Sequence, residues 1–170
     1  MTSSPGNKLE NCIDNNENTF CYSGQKDAYP WLALEFDTIQ DISKLSIINR
    51  KDCCGERARG LQVFVSDSLP TTAKVRFTKG HLLGSFSGPG TNGQLIDIVG
   101  KKSLVGKYVI IQTNPSGNSN IGGHLNLQEV YVYGRGKLLS SIQPIRQSLC
   151  QPDERLNLFG HTILSYYNIS

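Results

Sequence analysis

Short runs of apolar residues, each closed off by turn-formers, constrain this chain most. They fall at residues 31–36, 44–48, 61–66, 74–78, 94–99, 107–113 and 129–133. Several alternate. Leu32, Leu34 and Phe36 point one way and Ala33 and Glu35 the other; Leu61, Val63 and Val65 oppose Gln62, Phe64 and Ser66. Successive side chains on a strand face opposite sides, so a period of two marks a strand with one buried face. Between the runs lie Ser66-Asp67-Ser68-Leu69-Pro70, Ser87-Gly88-Pro89-Gly90, Asn114-Pro115-Ser116-Gly117-Asn118 and Gly122-Gly123. Such clusters are turn chemistry. No stretch before residue 137 carries a helical period. The pattern predicts an all-β chain, an antiparallel β-sandwich or jelly roll.

From residue 137 onward the pattern decays. Pro144 and Pro152 interrupt isolated apolar residues, and weak apolar patches fall at 156–159 and 163–167. The organisation expected is one β domain over residues 1–136 and a C-terminal extension over 137–170. A chain of 170 residues has the length of one domain. It can bury a full core without disulfide staples. The formal charge of +3 is small and dispersed. Nucleic-acid binding, which needs a clustered basic face, is therefore excluded. No stretch approaches the roughly 20 apolar residues of a membrane span. Met1-Thr2-Ser3-Ser4-Pro5-Gly6 has no apolar leader region. The chain either begins at a mature terminus or is a piece that has lost its leader.

The cysteines are Cys12, Cys21, Cys53, Cys54 and Cys150. Their spacing fits no zinc ribbon or finger. The spacing leaves the pairing of Cys12, Cys21 and Cys150 open; one option joins Cys12 to Cys21 across a short loop, with Cys150 free or intermolecular. Cys53 and Cys54 are adjacent. Neighbouring Cα atoms lie about 3.8 Å apart, against about 4.4–6.8 Å for ordinary disulfides, so a bond between them makes a tight ring that stiffens its loop. That loop reads Asn49-Arg50-Lys51-Asp52-Cys53-Cys54-Gly55-Glu56-Arg57. An arginine offers five N–H donors in a rigid, permanently charged fork. Two forks, an acidic neighbour and a flat sulfur surface suit a ligand with acceptors in fixed geometry beside an apolar face, as a sugar has. The plain alternative for Arg50, Asp52, Glu56 and Arg57 is a surface ion-pair cluster of little energetic weight.

This loop resembles the signature of the F-type lectins, the fucose-binding fucolectins. They are jelly rolls related to the discoidin (coagulation factor 5/8 C-terminal) domains. Their signature is Arg-x-Asp, four residues, then Arg or Lys, with Cys-Cys-Gly-Glu inside. Arg50, Asp52 and Arg57 fit that spacing. Pro30-Trp31-Leu32-Ala33-Leu34, Gly106-Lys107-Tyr108-Val109 and Leu127-Gln128-Glu129-Val130-Tyr131-Val132-Tyr133 resemble three of the family's strands, and the likeness covers residues 11–134. The resemblance implies a non-catalytic lectin for terminal L-fucose or a related sugar. Its partners would be fucosylated glycans or glycoproteins. Arg50 and Arg57 would bond the sugar, the Cys53–Cys54 ring would pack on it, and Asp52 would orient an arginine. It also implies a secreted protein and is compatible with a homo-oligomer.

Asn11-Cys12-Ile13-Asp14-Asn15-Asn16 resembles the family's segment for a structural Ca²⁺, which Glu129 would complete. The implied ligand set is Asn11, Asp14, Asn16 and Glu129, all oxygen donors as Ca²⁺ requires. The chain departs from the family in three places. No histidine lies between Cys21 and Asn49, where the family carries a sugar-binding one; Ser23 or Gln25 falls near its place. Gln128 replaces the closing-strand cysteine, so Cys21 lacks its usual partner. Against the family, a truncated N-terminal strand is expected before Asn11. The second reading is therefore a discoidin-like adhesion module with a decayed sugar site, binding protein or a membrane surface. An enzyme is a distant third, because Asp52 and Glu56 sit beside arginines that keep them ionised rather than poised to donate protons.

Overall fold

The computed structural model describes residues 8–23, 28–72, 75–113, 125–140 and 142–147. The strands are β1 (Cys21–Tyr22), β2 (Trp31–Asn49), β3 (Leu61–Ser66), β4 (His81–Phe86), β5 (Leu95–Thr113), β6 (Asn126–Gly134), β7 (Lys137–Leu138) and β8 (Ile142–Gln147). Two short 3₁₀ turns, Leu9–Cys12 and Gly55–Arg57, are the helical elements among the described residues. All strand pairs are antiparallel.

β2 and β5 are long because each passes through both layers. The first half of β2 pairs with the second half of β5, Trp31 opposite Gln112 and Glu35 opposite Tyr108. The second half of β2 pairs with the first half of β5, Lys44 opposite Val99 and Ile48 opposite Leu95. Register shifts between Glu35 and Gln40 and between Ile42 and Lys44 mark the bend. One layer then runs β8, β2, β5, β3, β4, and the other runs β5, β2, β6 with β1 and β7 beside β6. This is a β-sandwich, as the alternation requires.

The core fills the space between layers. Leu32, Leu34, Phe36, Leu45, Ile47, Leu61, Val63, Val65, Val109 and Ile111 all belong to one buried cluster. Trp31, Ala33, Phe64, Phe77 and Ile110 form a second cluster. Apart from Phe77, its members sit at the alternate positions of the same strands. Trp31 is thus core.

The runs at 31–36 and 44–48 are one strand, as are those at 94–99 and 107–113. The run at 74–78 differs from expectation. Residues 73 and 74 lie outside the described residues, and 75–78 are not strand. Phe77 is instead a plug: its ring meets Phe64 edge-on at 5.7 Å, and its backbone N–H donates to Gln112 Oε1 at 3.1 Å. The strand in that region is β4, which sequence reasoning missed. Its Gly84 lies so close to the other layer that a Cβ there would stand 2.7 Å from Ile98 Cγ2. Residues of the expected extension supply β7 and β8, and β8 pairs with β2 from Leu32 opposite Gln147 to Phe36 opposite Ile142. Pro144 fits there because an edge strand tolerates a missing N–H.

Cys12 and Cys21 form a disulfide with a Cα–Cα distance of 5.3 Å. Both are fully buried in the main core, where they tie the 3₁₀ turn to β1. Cys150 and the tail lie outside the described residues. The bond closes a sequence separation of 9. Chain-entropy scaling for so short a loop gives about 2–3 kcal/mol. The double variant Cys12→Ala/Cys21→Ala should lose about that much stability in urea titration, with the sandwich spectrum intact.

Candidate functional site

The loop between β2 and β3 begins where β2 ends, at Asn49. The Asn49 side chain is 1% exposed. Its Nδ2 donates to the carbonyls of Gly55 and Thr91, each at 2.8 Å, and its Oδ1 accepts from the Arg50 N–H at 2.9 Å. A second loop, residues 87–94, clasps the first. Asn92 Oδ1 accepts from Gly55 N–H at 2.7 Å. Gly93 N–H donates to Arg50 O at 2.9 Å, and Gly90 N–H donates to Ala58 O at 2.9 Å. The approach is close enough that only a glycine fits at 55: a Cβ there would lie 2.3 Å from the Asn92 nitrogen.

Within this frame Cys53 and Cys54 are bonded to each other, their Cα atoms 3.8 Å apart. Cys54 takes a left-handed conformation, φ 64° and ψ 25°, and the Gly55–Arg57 turn follows. Both cysteines are half-buried, so the disulfide edge reaches the surface. Arg50 is clamped from two sides. Asp52 accepts from Arg50 Nε at 2.5 Å and from Nη2 at 2.8 Å. The Phe20 ring lies 4.0 Å from the guanidinium carbon, a cation–π contact. Hydrogen bonding from Arg50 holds the Asp52 carboxyl down at about 2, with burial opposing the fall and the Arg50 charge adding to it. A depressed carboxyl keeps its pairing at every pH above the ordinary 3.8 and loses it only as pH falls through the lowered value. Tyr22 stands at the surface beside Phe20, the ring centroids 6.0 Å apart. Arg57 is half-buried, and its guanidinium has no hydrogen-bond or ion-pair partner among the described residues.

Sequence reasoning placed Arg50, Asp52, Cys53, Cys54 and Arg57 together, and they share one loop. It missed Phe20, Tyr22 and Asn92, which are isolated in sequence and follow no period. Ser23 does not stand in for the absent histidine. It is fully buried, and its Oγ accepts from Leu125 N–H at 2.9 Å. Gln25 lies outside the described residues.

The second expected site lies across β6. Glu129 is 0% exposed, and among the described residues neither carboxylate oxygen makes a hydrogen bond of good geometry. Burial pushes its carboxyl up to about 7, with the charge of Asp14 adding to the rise and nearby N–H groups of Asn15, Asn16 and Val130 offsetting it in part. Asp14 closes its own loop, accepting from Asn16 N–H at 2.9 Å and from the Thr19 hydroxyl at 2.7 Å. Asn16 Oδ1 accepts from Asn18 N–H at 3.1 Å, and Asn11 is buried and donates to Phe20 O at 3.3 Å. Among the described residues no three His, Cys, Asp or Glu side chains cluster as a metal site. The fit to a cation rests instead on one buried carboxylate, Glu129, and a second, Asp14, close enough for its charge to raise the first. That donor set suits a hard cation and not a thiolate- or imidazole-seeking metal. Glu129 also lines a cavity of about 260 Å³ with Ile13, Tyr131 and Leu139.

The fold is a two-layer antiparallel sandwich with a charged, disulfide-bearing loop at one end. The domain family described as NedA-like, galactose-binding domain matches residues 11–98. That is just over half of the chain, and the chain belongs to this family, that of the F5/F8 type C domains. Among curated relatives, Fucolectin-4 of Anguilla japonica is 26% identical over 105 residues, which is 59% of this chain and 56% of that protein. Among solved structures, the F-lectin (fucolectin) from Morone saxatilis serum superposes with a TM-score of 0.64 at 22% identity, covering 78% of this chain and 44% of that one. A fucose-binding module of Streptococcus pneumoniae superposes with a TM-score of 0.55 at 19% identity, covering 78% and 88%. The chain thus spans about half the length of the relative named first.

The clasp of Gly55 by Asn92 is open to test. Gly55→Ala forces the Cβ against backbone that cannot withdraw alone. It should cost about 1–3 kcal/mol of stability, and heteronuclear NMR should show shifts confined to residues 49–60 and 87–94.

Proposed function

We propose that this chain is an extracellular lectin domain that binds terminal L-fucose or a related sugar, without catalysis, on fucosylated glycans or glycoproteins. The observation that carries it is the fixed orientation of Arg50. Its guanidinium is held in plane by two bonds to Asp52 and backed by Phe20, beside the exposed edge of the Cys53–Cys54 disulfide. A fork that loses no freedom on binding keeps more of each hydrogen bond it makes. Asp52 uses part of the fork's five N–H donors, and the remainder suit a ring oxygen or hydroxyl. Arg57, unpartnered among the described residues, supplies the second fork. The disulfide gives an apolar ledge for the sugar's carbon face. The printed names of the relatives, fucolectins and a fucose-binding module, support the sugar class. The source of one, blood serum, supports an extracellular setting.

The same reading includes a structural Ca²⁺ held by Asp14 and Glu129 with oxygens of Asn11 and Asn16. The buried Glu129 carboxylate supports it. The cation's part would be to neutralise that buried charge and fix residues 11–19, and so the segment that carries Phe20.

On a glycan array the wild type should retain fucosylated glycans, and Arg57→Ala should weaken them by about 10–150-fold, the worth of a hydrogen bond from a charged donor. Unchanged retention in Arg57→Ala would sink the arginine-fork model. Liposome or receptor binding that survives it would favour the adhesion module instead. For the cation, millimolar Ca²⁺ should raise the wild-type melting temperature above that in chelator. Glu129→Gln, which removes the buried charge, should melt at the same temperature in both. A wild type indifferent to chelator ends the Ca²⁺ proposal.

A further inference from the structure

Gln128 stands on β6 with 4% of its surface exposed. Every polar atom of its side chain is engaged. Nε2 donates to the carbonyl of Glu17 at 2.8 Å and to that of Thr19 at 2.6 Å. Oε1 accepts from the Lys51 N–H at 3.1 Å. The bonds reach residues 77 to 111 positions away in sequence. Above them the Lys51 ammonium pairs with the Glu17 carboxylate, closing the same gap from outside.

The two ends of this strut are adjacent to the two halves of the Arg50 clamp. Thr19 precedes Phe20, whose ring lies 4.0 Å from the Arg50 guanidinium carbon. Lys51 follows Arg50 and precedes Asp52, which takes the other side of that guanidinium. A primary amide suits the place because it carries donors and an acceptor on one carbon. A carboxylate would set oxygen against two carbonyls, and a lysine or arginine would offer Lys51 no acceptor.

We propose that Gln128 is a positioning residue for the sugar site. Its amide fixes the separation between segment 17–20 and loop 50–54, and so keeps Phe20 stacked on Arg50 while the fork faces its ligand. The functional half of this inference rests on the sugar reading above; the structural half rests on the hydrogen bonds alone.

The test uses the full chain as wild type, Gln128→Met, Gln128→Glu and, as a core control distant from the loop, Val65→Ala. L-Fucose affinity is measured by titration calorimetry, and the Lys51 amide exchange rate and Arg50 side-chain shifts by NMR. Gln128→Met should bind fucose at least tenfold more weakly, exchange Lys51 at least tenfold faster and lose the Phe20 ring-current shift on Arg50. Val65→Ala should melt earlier with affinity within twofold of wild type, which separates positioning from general stability. Gln128→Glu keeps the acceptor for Lys51 and loses both donors, so Lys51 should stay protected while affinity falls. If Gln128→Met does not fold, Gln128→Glu carries the comparison. Affinity within twofold of wild type in a folded variant overturns the proposal. If the wild type binds no fucose, the sugar reading fails. The strut is then judged on the NMR readouts, and unchanged Lys51 exchange and Arg50 shifts overturn it as well.

Discussion

The carboxamide of Asn49 is the joint on which the loop end of this sandwich depends. It sits at the last residue of β2, buried, and bonds three backbone groups in two loops at once: Arg50 and Gly55 in one, Thr91 in the other. The Gly55 and Thr91 carbonyls also accept from the N–H groups of Ala58 and Gln94, so Asn49 ties two turns that each close on themselves. A loop that carries two arginines and a two-residue disulfide ring has little apolar surface of its own to bury. Its shape therefore comes from amides reaching in from the scaffold. Asn92 holds the middle of the loop through Gly55, and Gln128 holds its start through Lys51. Rigidity of this kind lowers the entropy lost when a small ligand is bound.

The two candidate ligand regions share a wall. Gln128 and Glu129 are neighbours on β6, at the register shift where Ile48 opposes Glu129 and Asn49 opposes Leu127. Gln128 is fully hydrogen-bonded and serves the arginine loop. The Glu129 carboxylate has no well-formed hydrogen bond among the described residues and lies near Asp14. One strand thus presents a satisfied amide to one loop and a buried carboxylate to the other. Residues 14–19 touch both, through Asp14 on one side and the Glu17 and Thr19 carbonyls on the other.

Much of the sandwich was legible because burial imposes a period of two on a strand. Leu32, Leu34 and Phe36 lie in one cluster and Trp31 and Ala33 in the other, as their alternation says. The continuity of β2 through residues 37–43 was not legible, because the register shifts there break the alternation. β4 escaped because Gly84 contributes no side chain to a pattern. β8 escaped because edge pairing is made of backbone hydrogen bonds, which any residue supplies. In the site, the loop itself could be read, since Arg50, Asp52, the cysteine pair and Arg57 are close in sequence. Its supports could not: Thr91 is 42 residues from Asn49 and Gln128 is 77 from Lys51. The disulfide of Cys12 with Cys21 was one open pairing among several and needed the fold to select it.

β8 sets the least length this module can have. The strand lies along the first half of β2, on the side that β5 does not occupy. Without it, the backbone N–H and C=O groups of residues 32–36 would line an open edge next to the core, and such an edge is a template for pairing with other chains. The stretch matched by the domain family ends at residue 98, and the sugar-lectin likeness in the sequence fades by 134, yet the fold is sealed only by residues 142–147. A splice that fuses this domain to another polypeptide, or trims it for display on a surface, has to fall after residue 147. A cut at 136 would keep every residue of the loop site and leave its scaffold with an adhesive hem.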